Sequence, residues 1–358
     1  MKVFLCIPTL QYAGAERFVT ELALNLDKTR FEVVCVLTND AGVTGYYQQL
    51  QAAGIRIADV SAPSYWQEFR NIRRLLKQEK PDVVHTNVGA MLHMALPVLL
   101  YGKCRHYFSV HSMGHRIFGG VKKHIAKWLF RSKKVLPVAI GAEVKRSLCS
   151  AYGLPEENIP CVYNGVDTRA FPQKTGETVP GAPCHFITVG RIQRVKNFSL
   201  LVSAFAKVLE ARPDCRLTIV GDGELREEIE QQIQQLDIAG AVHLAGRQSD
   251  VASFLQKADV YCVTSLVEGL PVSVLEAMST GLPVITTPAG GIVDIVKDGE
   301  NGFLSPHGDI DAFARRMEQL ATDTDLRRQM GEDSRRKALA LDVKQCARGY
   351  EEIYCSGK

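Results

Sequence analysis

The sequence has 358 residues, of which 46% are hydrophobic and 23% charged, and its formal net charge is +4. This composition excludes collagen, coiled coils and wholesale disorder, and the length favours two domains. The charge is uneven, because residues 1–168 carry 21 Lys and Arg against 13 Asp and Glu, while the remainder carries 22 against 26. The basic first half therefore predicts contact with an anionic ligand or surface.

Neither a membrane span nor an export signal is predicted. The most apolar stretch, Ala90–Tyr101, has 12 residues, whereas a span needs about 20. The apolar run Met1–Ile7 is too short for a signal peptide. The ten cysteines contain no Cys-x-x-Cys pair, which argues against zinc ribbons and thioredoxin chemistry. Thiols embedded in apolar runs indicate a reducing compartment, so a cytoplasmic location is expected.

Short β-branched runs alternate with amphipathic stretches through the first half of the chain. Strands are predicted at Lys2–Ile7, Phe31–Leu37, Asp82–Thr86, His106–Val110, Val135–Ala139 and Ile159–Tyr163, and helices at Ala15–Leu26, Gly45–Ala53 and Val121–Lys134. This alternation is typical of a parallel sheet with helices on both faces. The first domain is therefore predicted to span residues 1–168.

A second series of the same kind follows a proline- and glycine-rich linker, predicted at residues 169–184. Strands are predicted at His185–Val189, Cys215–Val220, Val242–Leu244, Val260–Val263 and Val284–Thr286, and helices at Ser199–Glu210, Glu224–Gln235, Val251–Gln256 and Val272–Ser279. The chain after Pro306 is predicted to be almost entirely helical. The fold class is thus α/β, with two doubly wound parallel-sheet domains, the second at 185–342. Ligands of such sheets bind at the carboxyl ends of the strands, so the default site is a cleft between the domains.

The most informative segment runs from Ser265 to Ile285 and contains two glutamates separated by seven residues. Glu268 follows a buried strand, and Glu276 lies on a helix that opens with Pro271 in its first turn. The free N–H groups of that turn favour an anionic ligand. Two solvated glutamates would be the plainer interpretation, but Glu276 lies within Leu-Glu-Ala-Met on an apolar helix, where a buried carboxylate needs a partner.

Two cations follow another predicted strand. Arg191 and Lys196 stand five residues apart after Gly190, at the carboxyl end of His185–Val189. Cations there suit a diphosphate, whose developing charge they would stabilise as it leaves. By themselves they would more often be a solvated basic turn.

These segments resemble the retaining glycosyltransferases of family 4, which have the GT-B fold. The motifs that carry the resemblance are Glu-x7-Glu, Glu-Gly-Leu-Pro-Val-Ser-Val-Leu-Glu-Ala-Met and Gly-Arg-x4-Lys-Asn. The resemblance covers nearly the whole chain and implies two Rossmann-like domains facing a cleft. It also implies a C-terminal helix, about residues 343–358, that crosses back to pack on the first domain.

The same resemblance implies roles for individual residues. Glu276 would bind the ribose of a nucleotide sugar, Glu268 the sugar hydroxyls, and Arg191 and Lys196 the diphosphate. The backbone of Gly269, Leu270, Pro271 and Val272 would line the sugar and diphosphate, and Arg247 would lie beside the base. Catalysis is expected to be a front-side displacement that needs no cofactor and no metal, because the two cations supply the charge.

Two candidates lie in the first domain. Gly14 follows the first strand, where a glycine lets backbone N–H groups approach a ligand; Ala13 replaces the first glycine of the family's usual pair. His111 ends the strand His106–Val110. A lone histidine is more often structural, but the resemblance implies that this one supports catalysis by contacting the donor sugar or the acceptor side.

The predicted helix Val121–Lys134 has an apolar stripe beside a basic one. Such a helix can lie on an anionic leaflet, or its apolar stripe can pack into the domain core. No nucleic-acid partner is expected, because no nucleic-acid-binding motif accompanies the basic residues. The membrane-facing candidates are Lys122, Lys123, Lys127, Arg131 and Lys134.

The expected function is transfer of a sugar, with retention, from a nucleotide diphosphate sugar to a glycan or lipid-linked acceptor. A UDP-sugar is the preferred donor, and GDP-mannose stays open. The expected location is the cytoplasm, peripheral on the inner face of the membrane. Two alternatives from other classes are a GT-B-fold sugar-nucleotide epimerase, against which the Glu268/Glu276 pair argues, and a catalytically silent glycan-binding scaffold, against which the intact cations and carboxylates argue.

Overall fold

The computed structural model describes residues 1–11, 13–39, 42–175 and 182–356. The chain divides into two compact units. The first comprises Met1–Gly165 together with the chain from Val343 onward, and the second comprises Val166–Asp342. Each unit is an α/β domain built around its own parallel sheet.

The first unit contains six strands and the helices between and after them. In chain order these are β1 (Lys2–Ile7), α1 (Gly14–Asn25), β2 (Glu32–Leu37), α2 (Gly45–Ala52), β3 (Arg56–Asp59), α3 (Tyr65–Glu79), β4 (Val83–Asn87), α4 (Ala90–Tyr101), β5 (Arg105–Val110), α5 (Gly114–Ile117), α6 (Gly120–Arg131), β6 (Leu136–Ala139) and α7 (Ala142–Tyr152). Its sheet has the order β3-β2-β1-β4-β5-β6, with all pairs parallel.

The second unit repeats this plan. Its elements are β7 (His185–Val189), α8 (Phe198–Ala211), β8 (Arg216–Val220), α9 (Arg226–Gln235), β9 (Val242–Gly246), α10 (Val251–Lys257), β10 (Val260–Val263), α11 (Val272–Thr280), β11 (Val284–Thr286), α12 (Ile292–Ile295), β12 (Gly302–Leu304), α13 (Ile310–Thr322) and α14 (Thr324–Ala340). The sheet order is β12-β11-β10-β7-β8-β9. Strands β7 and β10 are therefore neighbours although 70 residues separate them in the chain.

The last helix, α15 (Val343–Ser356), packs on the first unit. Tyr350 and Tyr354 are fully buried in the core formed with α1, α2 and one face of the sheet. Hydrogen bonds join Tyr354 Oη to His85 Nδ1 at 2.5 Å, His85 Nε2 to Ser109 Oγ at 2.7 Å, and Ser109 Oγ to Tyr350 Oη at 2.6 Å. This buried chain of polar groups fixes the position of α15 on β4 and β5. Residues 357 and 358, part of the predicted crossing helix, lie outside the described residues.

The chain enters and leaves the second unit at neighbouring points. Val166 pairs with Asp342 in a parallel bridge, and Thr168 Oγ1 donates to the Asp342 carboxylate at 2.7 Å. The unit boundary thus falls at Gly165–Val166 rather than at 168. Within the predicted linker 169–184, Lys174 pairs with Asp259 at 2.7 Å in the second unit, and residues 176–181 lie outside the described residues.

Two predictions of secondary structure are wrong. The segment Ile159–Tyr163 is not a strand, since its contact with the sheet is a single bridge between Cys161 and Ala139. Lys134 does not continue the basic stripe of α6, because that helix ends at Arg131, Ser132 caps it, and Lys133 turns the chain with a φ of 57°.

Along α6, Lys122 and Arg131 are exposed, and Lys123 and Lys127 are half-buried. No helix in the described ranges is both long and apolar enough to cross a bilayer.

Candidate active site

The candidate residues of the second unit follow β7 and β10. Because these strands are parallel neighbours, the loops at their carboxyl ends lie at one edge of the sheet. The loop after β7 carries Arg191 and Lys196, and the loop after β10 carries Glu268. The sheet topology therefore brings together Lys196 and Glu268, which are 72 residues apart in the chain.

Hydrogen bonds to backbone carbonyls connect the two loops. Leu266 N donates to Val195 O at 2.8 Å, and Thr264 Oγ1 donates to the carbonyls of Lys196 and Asn197 at 3.0 and 2.9 Å. Asn197 has φ 51° and ψ 45°, a left-handed conformation that asparagine tolerates better than most residues. This turn explains why an asparagine directly follows Lys196 before α8 begins.

The fixed turn places Lys196 against Glu268. Lys196 Nζ donates to Glu268 Oε1 at 2.6 Å, and Ser265 Oγ donates to the same oxygen at 2.6 Å. The two charged side chains are 20% and 12% exposed, so their attraction is screened less than that of a surface pair. Both contacts use Oε1, and Oε2 has no hydrogen-bond partner among the residues that the structure describes. Sequence reasoning missed Ser265, for which its place three residues before Glu268 was the available signal.

Helix α11 positions the second glutamate. Pro271 is the N-cap, one residue outside the helix and not in its first turn as predicted, and Val272 is the first helical residue. The N–H groups of the first turn have no acceptor within the helix. Glu276 is 3% exposed, on a helix whose residues are all buried except Ser273. The sequence prediction of a buried carboxylate at this position is confirmed.

A glycine pair after β11 supports this loop and was not recognised in the sequence. A Cβ atom on Gly291 would lie 2.1 Å from Gly269 O and 3.6 Å from Leu270 N. The backbone at Gly291 therefore packs directly against the loop that precedes α11. The signal was present as a Gly-Gly pair that follows β11 after three intervening residues, since glycines near a strand mark close backbone approach.

Three arginines near this edge are exposed to solvent. Arg191 and Arg194 lie on the loop after β7, and Arg247 follows β9. Among the residues that the structure describes, none of the three guanidinium groups has an ion pair or hydrogen bond. Their guanidinium groups are thus available to an anion without first losing a protein partner.

In the first unit, His111 ends up at the carboxyl end of β5, beside β4. Asn87 Nδ2 donates to Cys6 O at 3.2 Å, which leaves Oδ1 directed at His111 Nε2 at 2.8 Å. Because that oxygen can only accept, His111 must carry its proton on Nε2 and present Nδ1 as an acceptor. The edge of the His111 ring also packs on Phe18 at 4.8 Å.

Burial lowers the pKa of His111 to about 4, so the imidazole is neutral at pH 7. A neutral Nε2–H tautomer can accept a hydrogen bond from a hydroxyl but cannot serve as an imidazolium acid. Gly14, at the carboxyl end of β1, is the first residue of α1 and is exposed, with open space where a Cβ atom would be.

Comparison with known proteins agrees with this architecture. Residues 12–170 match the model described as Glycosyltransferase Family 4, and residues 173–337 match Glycosyl transferases group 1. An uncharacterized glycosyltransferase of Haemophilus influenzae is 33% identical over 279 residues, which cover 76% of this chain and 75% of that protein. UDP-Gal:α-D-GlcNAc-diphosphoundecaprenol α-1,3-galactosyltransferase of Escherichia coli is 30% identical over 71% of this chain and 70% of its own length.

The fold has close structural relatives as well. The crystal structure of Anabaena HepE (Alr3699) with UDP and glucose superposes with a TM-score of 0.87 at 19% identity, covering 99% of this chain and 100% of that one. The two units are those of a GT-B fold, and the chain belongs to glycosyltransferase family 4. With other curated relatives the chain matches only about half of their length, 42% and 54% in two cases.

Proposed function

We propose that the protein transfers a sugar, with retention of anomeric configuration, from a UDP-sugar to a hydroxyl of a lipid-linked or growing cell-surface glycan. The observation that carries the proposal is the Lys196–Glu268 pair at the carboxyl edge of the second sheet, beside the buried Glu276 of α11. Relatives support the donor and acceptor classes, since one is named for UDP-Gal and a diphosphoundecaprenol acceptor and another was crystallised with UDP and glucose.

Each donor group has a suitable partner at this edge. The diphosphate takes Arg191, Lys196 and the first N–H groups of α11, where the helix dipole favours an anion. The ribose hydroxyls take the Glu276 carboxylate, and the base lies near Arg247. The sugar hydroxyls reach Oε2 of Glu268, while Lys196 and Ser265 hold its Oε1. The backbone of Gly269–Val272 lines the sugar and diphosphate.

The reaction breaks the bond between the sugar C1 and the phosphate oxygen and forms one between C1 and the acceptor oxygen on the same face. The acceptor proton passes to a phosphate oxygen of the departing UDP, so no protein nucleophile is needed. Arg191 and Lys196 stabilise the negative charge that develops on the leaving diphosphate. We propose that no metal takes part. In the first unit, His111 offers Nδ1 to a substrate hydroxyl, and the backbone at Gly14 approaches the substrate.

The donor class is tested by thermal shift with UDP, GDP and ADP, with EDTA present throughout. UDP at 100 times its dissociation constant should stabilise the protein by about 2.7 kcal/mol. Glu276→Gln should abolish this shift, whereas Glu224→Gln, an exposed glutamate of the same unit, should preserve it. Equal shifts with all three nucleotides would contradict the UDP assignment, and a UDP shift that appears only when Mg²⁺ replaces the EDTA would contradict metal independence.

Turnover of the donor tests the chemistry. Lys196→Met should lower turnover at least about a hundredfold, as removal of one transition-state charge partner typically does. Arg194→Met, two residues away on the same turn and exposed, is the matched control and should retain activity. The anomeric configuration of the product, read by proton NMR, decides retention. Conversion of the UDP-sugar without any acceptor would favour an epimerase, and binding without turnover would favour a scaffold.

A further inference from the structure

Helices α3, α4 and α6 cover the same face of the first sheet. The core beneath α3 and α4 contains Phe4 and Val84. Phe108 pairs beside Thr86, two residues beyond Val84, and therefore points to that same side. Phe130 of α6 stacks on Phe108 with ring centroids 6.1 Å apart. Helices α1, α2 and α15 pack on the opposite side, around Leu5 and Tyr350.

The outward surface of these three helices, here called the α3–α4–α6 face, is unusually apolar. Within the described ranges it holds seven of the thirteen large apolar side chains that are exposed, and α1, α2 and α15 hold none. The sequence contains two tryptophans, and both lie on this face, with Trp66 67% and Trp128 55% exposed. The seven residues are Tyr65, Trp66, Leu96, Leu100, Val121, Ile125 and Trp128.

The same face is also strongly basic. Helices α3, α4 and α6 carry eight Lys and Arg against two Glu, whereas α1, α2 and α15 carry three against four. Both glutamates of the basic layer are already engaged: Glu68 is buried against His93 Nδ1 at 2.8 Å, and Glu79 bonds Lys2 and Arg56. The hydrogen bond from Lys2 is the main reason that the pKa of Glu79 is lowered. The positive charge of the face is therefore not cancelled locally.

We infer that the α3–α4–α6 face binds the surface of an anionic lipid bilayer, with Trp66 and Trp128 as two separate interfacial anchors. Tryptophan partitions to the level of the lipid headgroups because one end of the ring is polar and the rest apolar. Basic side chains beside it are attracted to the negative leaflet. Lys122 is three residues from Ile125, and Arg131 is three residues from Trp128, so cation and apolar group are neighbours on α6.

This inference goes beyond the basic stripe of α6, because it assigns α3 and α4 to the same surface and places an anchor on each of two helices. A nucleic acid would be attracted by the charges, but the broad array of exposed leucine, isoleucine and valine side chains offers it no bonding partner. The inference rests on the proposed function only for the lipid-linked acceptor. Membrane binding is tested without measuring turnover, so membrane binding and the proposed function can each fail without the other.

Tryptophan fluorescence of the full chain tests the anchors directly, because both reporters lie on the proposed face. Phosphatidylcholine vesicles that contain phosphatidylglycerol should move the emission to shorter wavelength, and brominated acyl chains should quench it. Trp66→Phe and Trp128→Phe, which each leave one reporter, should both still show the shift. A shift from Trp128 alone would mean that only α6 contacts the bilayer, and it would overturn the assignment of two anchors.

Vesicle sedimentation tests the charges with a matched control. Each basic residue near an anionic leaflet strengthens binding about fivefold, so Lys122→Glu with Arg131→Glu should weaken it at least about 25-fold. The control is Lys344→Glu with Arg348→Glu, an identical charge change at exposed positions of α15 on the opposite layer, which should retain most of the binding. Equal loss in both variants, equal binding to neutral vesicles, or tighter binding to an oligonucleotide of the same charge would overturn the inference.

Discussion

A single hydrogen bond assigns the chemistry of His111. Since Asn87 Nδ2 is used by Cys6 O, its Oδ1 faces the ring and fixes the Nε2–H tautomer. We expect nitrogen-15 NMR of the labelled histidines to show His111 protonated on Nε2 and neutral from pH 8 down to about 5, since burial lowers its pKa to about 4.

Asn87→Asp replaces the amide by a carboxylate of the same shape, which favours the charged imidazolium and should raise the pKa of His111. Asn87→Ala removes the acceptor and should let both tautomers appear. Wild-type protein with the proton on Nδ1, or a midpoint near 6.5 in that protein, would contradict the assignment.

Gly291 is needed for space rather than for backbone freedom. Its φ of −67° is open to any residue, but a Cβ atom there would lie 2.1 Å from Gly269 O. Gly291→Ala must therefore displace the loop before α11, at a cost of about 1–3 kcal/mol in unfolding free energy. We expect at least a tenfold loss of UDP affinity, measured by titration calorimetry.

Gly240→Ala is the control for that substitution, because nothing lies within 4 Å of its Cβ position. It should change neither affinity nor stability by more than a small amount. If Gly291→Ala bound UDP as the wild type does, the close packing of Gly291 on Gly269 would have no role in holding the donor loop.

At the scale of elements, hydrophobic periodicity predicted most strands of both sheets, because buried parallel strands are short continuous runs of β-branched residues. It did not assign β3, whose residues are partly exposed, or β12, which has three residues and begins with Gly302. The segment Ile159–Tyr163, wrongly predicted as a strand, has the composition of a true strand. Composition does not show whether the segment pairs along its length with an edge strand of the sheet.

For the candidate site as well, the sequence predicted the residues but not how they contact one another. The motifs identified Lys196, Glu268 and Glu276, but not that Ser265 and Lys196 share one carboxylate oxygen, since that depends on the neighbouring positions of β7 and β10. For α6, the sequence left open whether the apolar stripe packs inward. The structure shows Leu129 buried and Val121, Ile125 and Trp128 exposed.

The attachment of α15 depends on buried polar groups that can be removed singly. Tyr354→Phe leaves His85 Nδ1 without its partner in a fully buried position, which should cost about 1–3 kcal/mol. Tyr152→Phe is a matched control, because within the described residues the Tyr152 hydroxyl is buried with no hydrogen-bond partner, so its removal should be neutral or stabilising. Urea unfolding compares the two, and equal effects would mean that the Tyr354 hydroxyl contributes nothing to holding α15.

For the whole molecule, three buried histidines of the first unit make stability depend on pH. Burial lowers the pKa of His85 and His106 to about 3 and that of His111 to about 4, against an ordinary value of 6.5. Between pH 6.5 and these values the unfolded chain binds protons that the folded chain does not. Stability is therefore full above pH 6.5 and falls as the pH drops, by about 1.4 kcal/mol per pH unit for each histidine.

This dependence can be assigned to individual residues by urea unfolding at pH 7.5 and 5.5. Wild-type protein should lose about 4 kcal/mol between the two, the sum of three such histidines one pH unit below 6.5. His106→Gln should reduce the loss by about a third, because one of the three groups no longer titrates in the unfolded chain. His124→Gln, an exposed position on α6, should leave the loss unchanged. A pH-independent wild type would show that these rings take up protons in the folded state as readily as in the unfolded chain, which would contradict their lowered pKa values.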